Sequence, residues 1–206
     1  QLRDTGAAYY KTRAFHSEAE ILAFLREDLL GLVESMRENG FDGIGLKDLM
    51  AGAGLTQGGF YKQFASKDEL VAVATRRALE SVSERWSTAA AARPDDSLRA
   101  VCEFYLSPGH SAERADGCPI VALGSDATRQ GPEVKAAFEA GMLGYLDMVT
   151  GWLGEGREDE AMVVLSTMVG ALLLSRIVND QTLARRFLET AAASVTGKDV
   201  RQQSDG

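Results

Sequence analysis

Ala53-Gly54-Leu55-Thr56-Gln57-Gly58-Gly59-Phe60-Tyr61-Lys62-Gln63-Phe64 is the stretch that decides the fold. Leu46 to Ala53 reads as a short helix, Gly54-Leu55-Thr56 as a break and Gln57 to Phe64 as a second short helix. Gly54 supplies the positive φ of a sharp helix-to-helix turn, and Thr56 is the N-cap of the second helix. The outline is a helix-turn-helix. Leu49, Leu55, Phe60 and Phe64 form its expected small core, with Ala53 and Gly54 letting the two backbones approach.

Upstream, Ser17-Glu18-Ala19-Glu20 is a capping box, and Leu22, Leu25, Leu29, Leu32 and Met36 recur at spacings of three and four. This first helix is expected to stop at Asn39-Gly40 with the glycine left-handed. Downstream, Ser66-Lys67-Asp68-Glu69 opens a long helix through Leu70 and Val73 to Trp86, closed by Arg93-Pro94-Asp95-Asp96. A helix with Val101, Cys102 and Tyr105 follows, and then a loop between Ser107-Pro108-Gly109 and Asp116-Gly117. The spacing next predicts a short helix from Cys118 to Arg129 and one opened by Gly131-Pro132-Glu133. The latter carries Phe138, Met142, Tyr145, Val149 and Trp152 on one face. After a turn at Gly154 to Gly156 come helices over Asp159 to Val178 and Thr182 to Val195. No alternating runs of strands occur, so the predicted fold is all-α. Residues 1–16 are read as an extension, 17–65 as the helix-turn-helix head, 66–196 as the body and 197–206 as a flexible tail.

Composition sets limits on function. The 206 residues are 45% hydrophobic and 25% charged, which suits a globular core. Two cysteines, Cys102 and Cys118, are too few for a disulfide framework, and no Cys/His spacing fits a metal site, so a reducing, cytoplasmic setting is expected. Neither a signal peptide nor a membrane span is read from the chain, since Ser166, Thr167, Ser175 and Arg176 interrupt its longest apolar stretch. No Ser/His/Asp set, carboxylate pair or phosphate loop supports catalysis, and no cofactor is expected. The net charge of -8 opposes general nucleic-acid binding. Between Ile44 and Lys67, however, Lys47, Lys62 and Lys67 face only Asp48, three positive against one negative, or +2. A contact surface can be basic inside an acidic protein.

From Gly40-Phe41 through Leu46-Lys47-Asp48-Leu49 and the quoted stretch to Ser66-Lys67-Asp68-Glu69-Leu70, the sequence resembles the tetracycline-repressor (TetR/AcrR-type) family of transcriptional regulators. Gly-Gly-Phe-Tyr at 58–61 with Gly117-Cys118-Pro119 resembles its LmrA/YxaF-like branch. The resemblance implies a homodimeric repressor that grips double-stranded operator DNA and lets go when a small, largely apolar or aromatic effector enters the body. It implies DNA contacts by Lys47, Thr56, Gln57, Gly58, Tyr61, Lys62, Gln63 and Lys67, with Gln57 reading a base and Tyr61 and Lys67 meeting phosphate. It implies an effector pocket walled by Trp86, Phe104, Tyr105, Cys118, Phe138, Met142, Tyr145 and Trp152. The residues alone leave that stripe open to being plain core.

The helix from Asp159 to Val178 is apolar on too many faces for one domain. With Gly170 and Ala171 allowing close approach, it is expected to form the dimer seam through Met162, Leu165, Val169, Gly170, Leu173 and Ile177. The operator is then expected to be roughly palindromic, with half-sites about one helical turn apart. Two alternatives stay open. One is an electrophile-sensing repressor acting through Cys118, which begins a helix where the dipole favours thiolate. The other is a helical small-molecule-binding protein or enzyme that does not bind DNA. Family members usually carry a Lys/Arg-rich arm where this chain has Glu18, Glu20, Arg26, Glu27 and Asp28, so a weaker, more salt-sensitive grip on DNA is expected.

Overall fold

The computed structural model describes residues 36–37, 40–41, 64–113 and 117–197. The described residues contain helices and no strand, in agreement with the predicted class. Helix α1 runs Lys67–Ala92, followed by a single 3₁₀ turn at Pro94–Asp96, α2 (Ser97–Tyr105), α3 (Pro108–Ala112) and α4 (Pro119–Ala127). Then come α5 (Pro132–Leu153), α6 (Glu158–Ile177) and α7 (Gln181–Thr196). The predicted helix-turn-helix over 46–64 lies outside the described residues, apart from Phe64 at its end.

Local chemistry sets the boundaries. The Ser66 hydroxyl accepts the Glu69 N–H at 3.0 Å, and the Glu69 carboxylate reaches back to the Ala65 N–H at 2.6 Å. That return bond falls one residue before the N-cap, where a capping box would place it on the cap itself. Asp180 caps α7 by accepting from the N–H groups of Thr182 and Leu183. Gly40 stands at φ +75 and donates its N–H to the Met36 carbonyl at 2.8 Å, the left-handed stop expected of it. One expectation needs correcting. Ser107-Pro108-Gly109 does not merely open a loop, because the Ser107 hydroxyl accepts the His110 N–H and, with Pro at the first position, starts the five-residue α3.

Helix α1 packs along α5 and against α2, α6 packs on α5, and α7 pairs with α6 and also meets α2. The approach of α1 and α5 depends on Gly141: a Cβ there would stand 2.6 Å from Leu79 Cδ1 and 2.9 Å from Leu79 Cβ. At the same level the Tyr145 hydroxyl donates to the Leu79 carbonyl at 2.9 Å. Gly141→Ala is therefore expected to overpack this seam by about 1–3 kcal/mol. It should lower Tm by several degrees in calorimetry at fixed protein concentration.

Helix α6 is the one described helix long and apolar enough to cross a membrane. Its sequence divides it between two environments. Ala161, Val164, Leu165, Met168, Ala171, Leu172 and Ser175, spaced by threes and fours, are buried in the body core. Its opposite face leaves Met162, Val163, Leu173, Leu174 and Ile177 exposed.

Candidate functional site

Of the DNA-contact residues expected from sequence, Lys47, Thr56, Gln57, Gly58, Tyr61, Lys62 and Gln63 lie outside the described residues. Lys67 does not, and its ammonium donates to the Phe41 carbonyl at 3.2 Å. Two of its three donors stay available for an anion. The same cation thus ties Phe41 to the start of α1.

Around it, Arg37, Gly40 and Phe41 meet the body. Phe41 is buried and meets Phe138 of α5 edge to face, with centroids 6.4 Å apart at 87°. The buried Arg37 guanidinium donates to the Ala78 carbonyl of α1 at 3.4 Å. Gly40 passes so near Asp126 of α4 that a Cβ would lie 2.5 Å from the carboxylate. This joint was not foreseen in the sequence, where Phe138 is one of the pocket walls. A 22-residue helix rises about 33 Å, so residues on one stripe occupy different heights and meet different partners. Phe138 is an anchor for the joint, and Met142, 37% exposed, turns out of the buried stripe.

The remaining aromatics do come together. Trp86, Tyr105 and Tyr145 are among the largest fully buried side chains. Trp86 meets Tyr105 at 5.5 Å and 89°, Tyr145 at 5.0 Å and 30°, and the half-buried Trp152 at 6.3 Å. Cys118, buried at the N-cap of α4, faces the Tyr105 hydroxyl and acts on Tyr145 electrostatically, and its side chain makes no capping bond. Burial, with the Cys118 sulfur adding to it, pushes both tyrosines well above the usual phenol range. Burial also raises the Cys102 thiol to about 12, so Cys102 is inert filler. Phe104 sits further out, stacked on His110 at 5.6 Å and beneath the Arg85 guanidinium at 5.1 Å.

His110, which had no role assigned from sequence, belongs to the support of this cluster. Its Nδ1 lies 2.7 Å from the Tyr105 carbonyl, which can only accept, so Nδ1 carries the proton. Burial holds its pKa below the usual value, against the Tyr105 carbonyl and Glu113, which raise it, and with Arg176 and Arg85, which lower it. The folded protein therefore binds this proton less readily than the unfolded chain, and the associated stability is complete above about pH 6.5. It is lost as pH falls through the depressed folded value. Urea midpoints measured from pH 7.5 to 5 are expected to fall less for His110→Asn than for the parent.

Beside His110, Arg176 at the end of α6 donates to the carbonyls of His110 (2.9 Å), Ser111 (3.0 Å) and Glu113 (2.8 Å). A Cβ on Gly117 would lie 2.3 Å from the Glu113 carbonyl and 2.7 Å from Arg176. That contact is the physical reason for glycine before Cys118-Pro119. Among the expected seam residues, Met162 (52%) and Ile177 (66%) are exposed with Leu173, while Val169 and Gly170 are half-buried. Leu165, 8% exposed, is a correction: it points into its own core. Leu183 and Phe187 of α7 extend the face instead, bordering with Gly170 and Leu174 a groove of about 560 Å³. No group of His, Cys, Asp or Glu among the described residues could hold a metal.

Residues 31–74 match the bacterial regulatory proteins of the tetR family. In structure, the chain is similar to reduced NemR of E. coli (22% identity, TM-score 0.70, 84% of this chain and 95% of that one). It is also similar to SCO4454, a TetR-family regulator of Streptomyces coelicolor (21%, TM-score 0.65, 84% and 97%). A third likeness is AibR in complex with isovaleryl coenzyme A and operator DNA (14%, TM-score 0.58, 84% and 98%). No curated protein matches in sequence. The family match covers residues 31–74, and the likeness to these solved structures, each under 25% identical, shows that the chain shares their all-helical fold.

Proposed function

We propose that this chain is a cytoplasmic, homodimeric repressor, released from a palindromic operator when a small, largely apolar or aromatic effector enters the body. One observation carries the reading. The segment matched to the regulator family runs directly into α1, and this single helix of 26 residues also bears Trp86 in the buried aromatic cluster. About 29 Å separates Lys67 from Trp86 along the helix axis. A change at the cluster that tilts α1 moves the head, and two heads tilted in opposite senses no longer fit successive major grooves.

Lys47, Thr56, Gln57, Gly58, Tyr61, Lys62, Gln63 and Lys67 are the proposed DNA contacts. Trp86, Tyr105, Cys118, Tyr145 and Trp152 are the proposed effector contacts, with Phe104 behind them. The exposed faces of α6 and α7 supply the seam with a second copy. The likeness to AibR, which was crystallised with both operator DNA and an acyl coenzyme A, supports the pairing of the two partner classes. The LmrA/YxaF-like assignment rests on Gly117-Cys118-Pro119 and the 58–61 motif.

A mobility shift on inverted repeats flanking the gene, with and without aromatic compounds, tests the proposal. A complex that forms with the dimer and dissolves on adding one compound supports it. Failure to bind any inverted repeat would return the chain to a plain ligand-binding role. In the same assay, Cys118→Ser tests the thiol-sensing alternative. An electrophile would have to enter the cluster to reach that buried sulfur, and loss of induction with intact DNA binding would favour it.

A further inference from the structure

Three polar aromatic groups end inside the body, and only one of them is satisfied. The Tyr145 hydroxyl has the Leu79 carbonyl. The Trp86 Nε1–H, on a side chain buried as deeply, has no hydrogen-bond partner, and the Tyr105 hydroxyl has no oxygen or nitrogen partner. The Tyr105 oxygen faces the Cys118 sulfur, a weak acceptor at best. Buried donors are nearly always paired, and two orphans on rings in contact are a specific exception. The indole can only donate, so what it lacks is an acceptor.

The nearby charges limit what that acceptor can be. Arg176 is bound to three backbone carbonyls, Arg85 pairs with Glu113 at 2.9 Å and lies over Phe104, the buried Arg37 that acts on Tyr145 donates to the Ala78 carbonyl, and burial disfavours the charged form of His110. A ligand carboxylate at Trp86 would be desolvated among cations already engaged with backbone carbonyls or Glu113. Trp86 and Tyr145 pack directly on each other at 5.0 Å, so an aromatic ligand would replace one of these ring contacts with its own, entering past half-buried Trp152.

We infer that Trp86 Nε1–H and the Tyr105 hydroxyl form a donor pair for an uncharged, planar aromatic ligand bearing a carbonyl-type acceptor, such as an aryl ketone or quinone. This deepens the proposed effector role and rests on it. The pair fixes the orientation of a ligand that the rings hold by area.

Calorimetric titration of the full-length dimer with four naphthalene probes tests the inference. These are 2-acetylnaphthalene, its acceptor-free analogue 2-isopropylnaphthalene, 2-naphthoate and 2-naphthyltrimethylammonium. The ketone is expected to bind at least about tenfold more tightly than the hydrocarbon, and more tightly than either ion. Tyr105→Phe should shrink that ratio severalfold, and Tyr105→Phe with Trp86→Phe should abolish it. Without ligand, Tyr105→Phe should melt at or above the parent's Tm, since it deletes a group that has no oxygen or nitrogen partner. A lower Tm would show that a buried water already serves the hydroxyl, and would overturn the pair. So would equal binding of ketone and hydrocarbon, preference for an ion, no binding of any probe, or a ketone preference that survives in the double variant. The two readings fail separately. A ketone that binds with the expected preference yet leaves the operator complex intact refutes the effector role and supports the donor pair.

Discussion

Ile177→Glu is expected to convert the dimer to a folded monomer in sedimentation and to weaken operator binding by at least about 100-fold. Ile177 is 66% exposed in the protomer, so a carboxylate there costs the isolated chain little. In a symmetric seam the substitution enters twice, placing two charges within an apolar face that also holds Met162 and Leu173. Each head alone reads one half-site, and the second head binds at an effective concentration that disappears with the dimer, a loss on the order of 10²–10⁴. If Ile177→Glu stays dimeric, the pairing face is not the outer side of α6. Leu165→Ala supplies the contrast. Buried in its own core, it should lower the Tm of the protein while leaving a dimer.

Phe41→Ala has the second large expected effect, a loss of about 3–5 kcal/mol of stability. That is a large part of the roughly 5–15 kcal/mol typical of a folded domain. Phe41 is buried against Phe138, and the carbonyl it carries is held by Lys67. Urea denaturation should register the loss. Because these contacts tie Phe41, at the edge of the proposed DNA-binding head, to α1 and α5, operator affinity should fall too, although Phe41 touches no DNA in the proposed mode. Phe138→Ala should mimic it from the body side. The double variant should cost less than the two losses added together, by about 0.5–1.5 kcal/mol for the ring pair. Full additivity would mean the rings do not hold the joint.

How far the sequence could be read depended on how local each signal was. The Ser66 cap and the stop at Gly40 were legible because a cap or a left-handed glycine is decided within four residues. The long helices followed from them. α3 was missed because five residues carry too little periodicity to distinguish a helix from a loop. Leu165 was placed in the seam because α6 is apolar all round: a pattern that is nearly uniform names the helix but not which face meets which partner.

The cluster of Trp86, Tyr105, Tyr145 and Cys118 was legible as a set of residue types, and the resemblance supplied the reason to group them. Nothing in the spacing separated Phe138 from Tyr145, two turns apart on one stripe yet serving the head and the centre of the body. Nor could it show that His110 would buttress Tyr105, since that bond belongs to the turn after α2. Lys67 was legible as a cation at a helix start. Its bond to Phe41 spans 26 residues and had no local signature.

The Arg176 clamp has a consequence for how two copies would titrate. The guanidinium fastens the last turn of α6 to the carbonyls of His110, Ser111 and Glu113 and lies against Gly117, so the residues beside the aromatic cluster and the rim of the exposed α6 face are held by one side chain. In a dimer closed over α6, the two effector chambers would then not fill independently. Occupancy of the first changes the surface against which the second subunit rests, and the saturation curve departs from a simple hyperbola. Replacing Arg176 with Ala would uncouple the chambers and return that curve to two identical, independent sites.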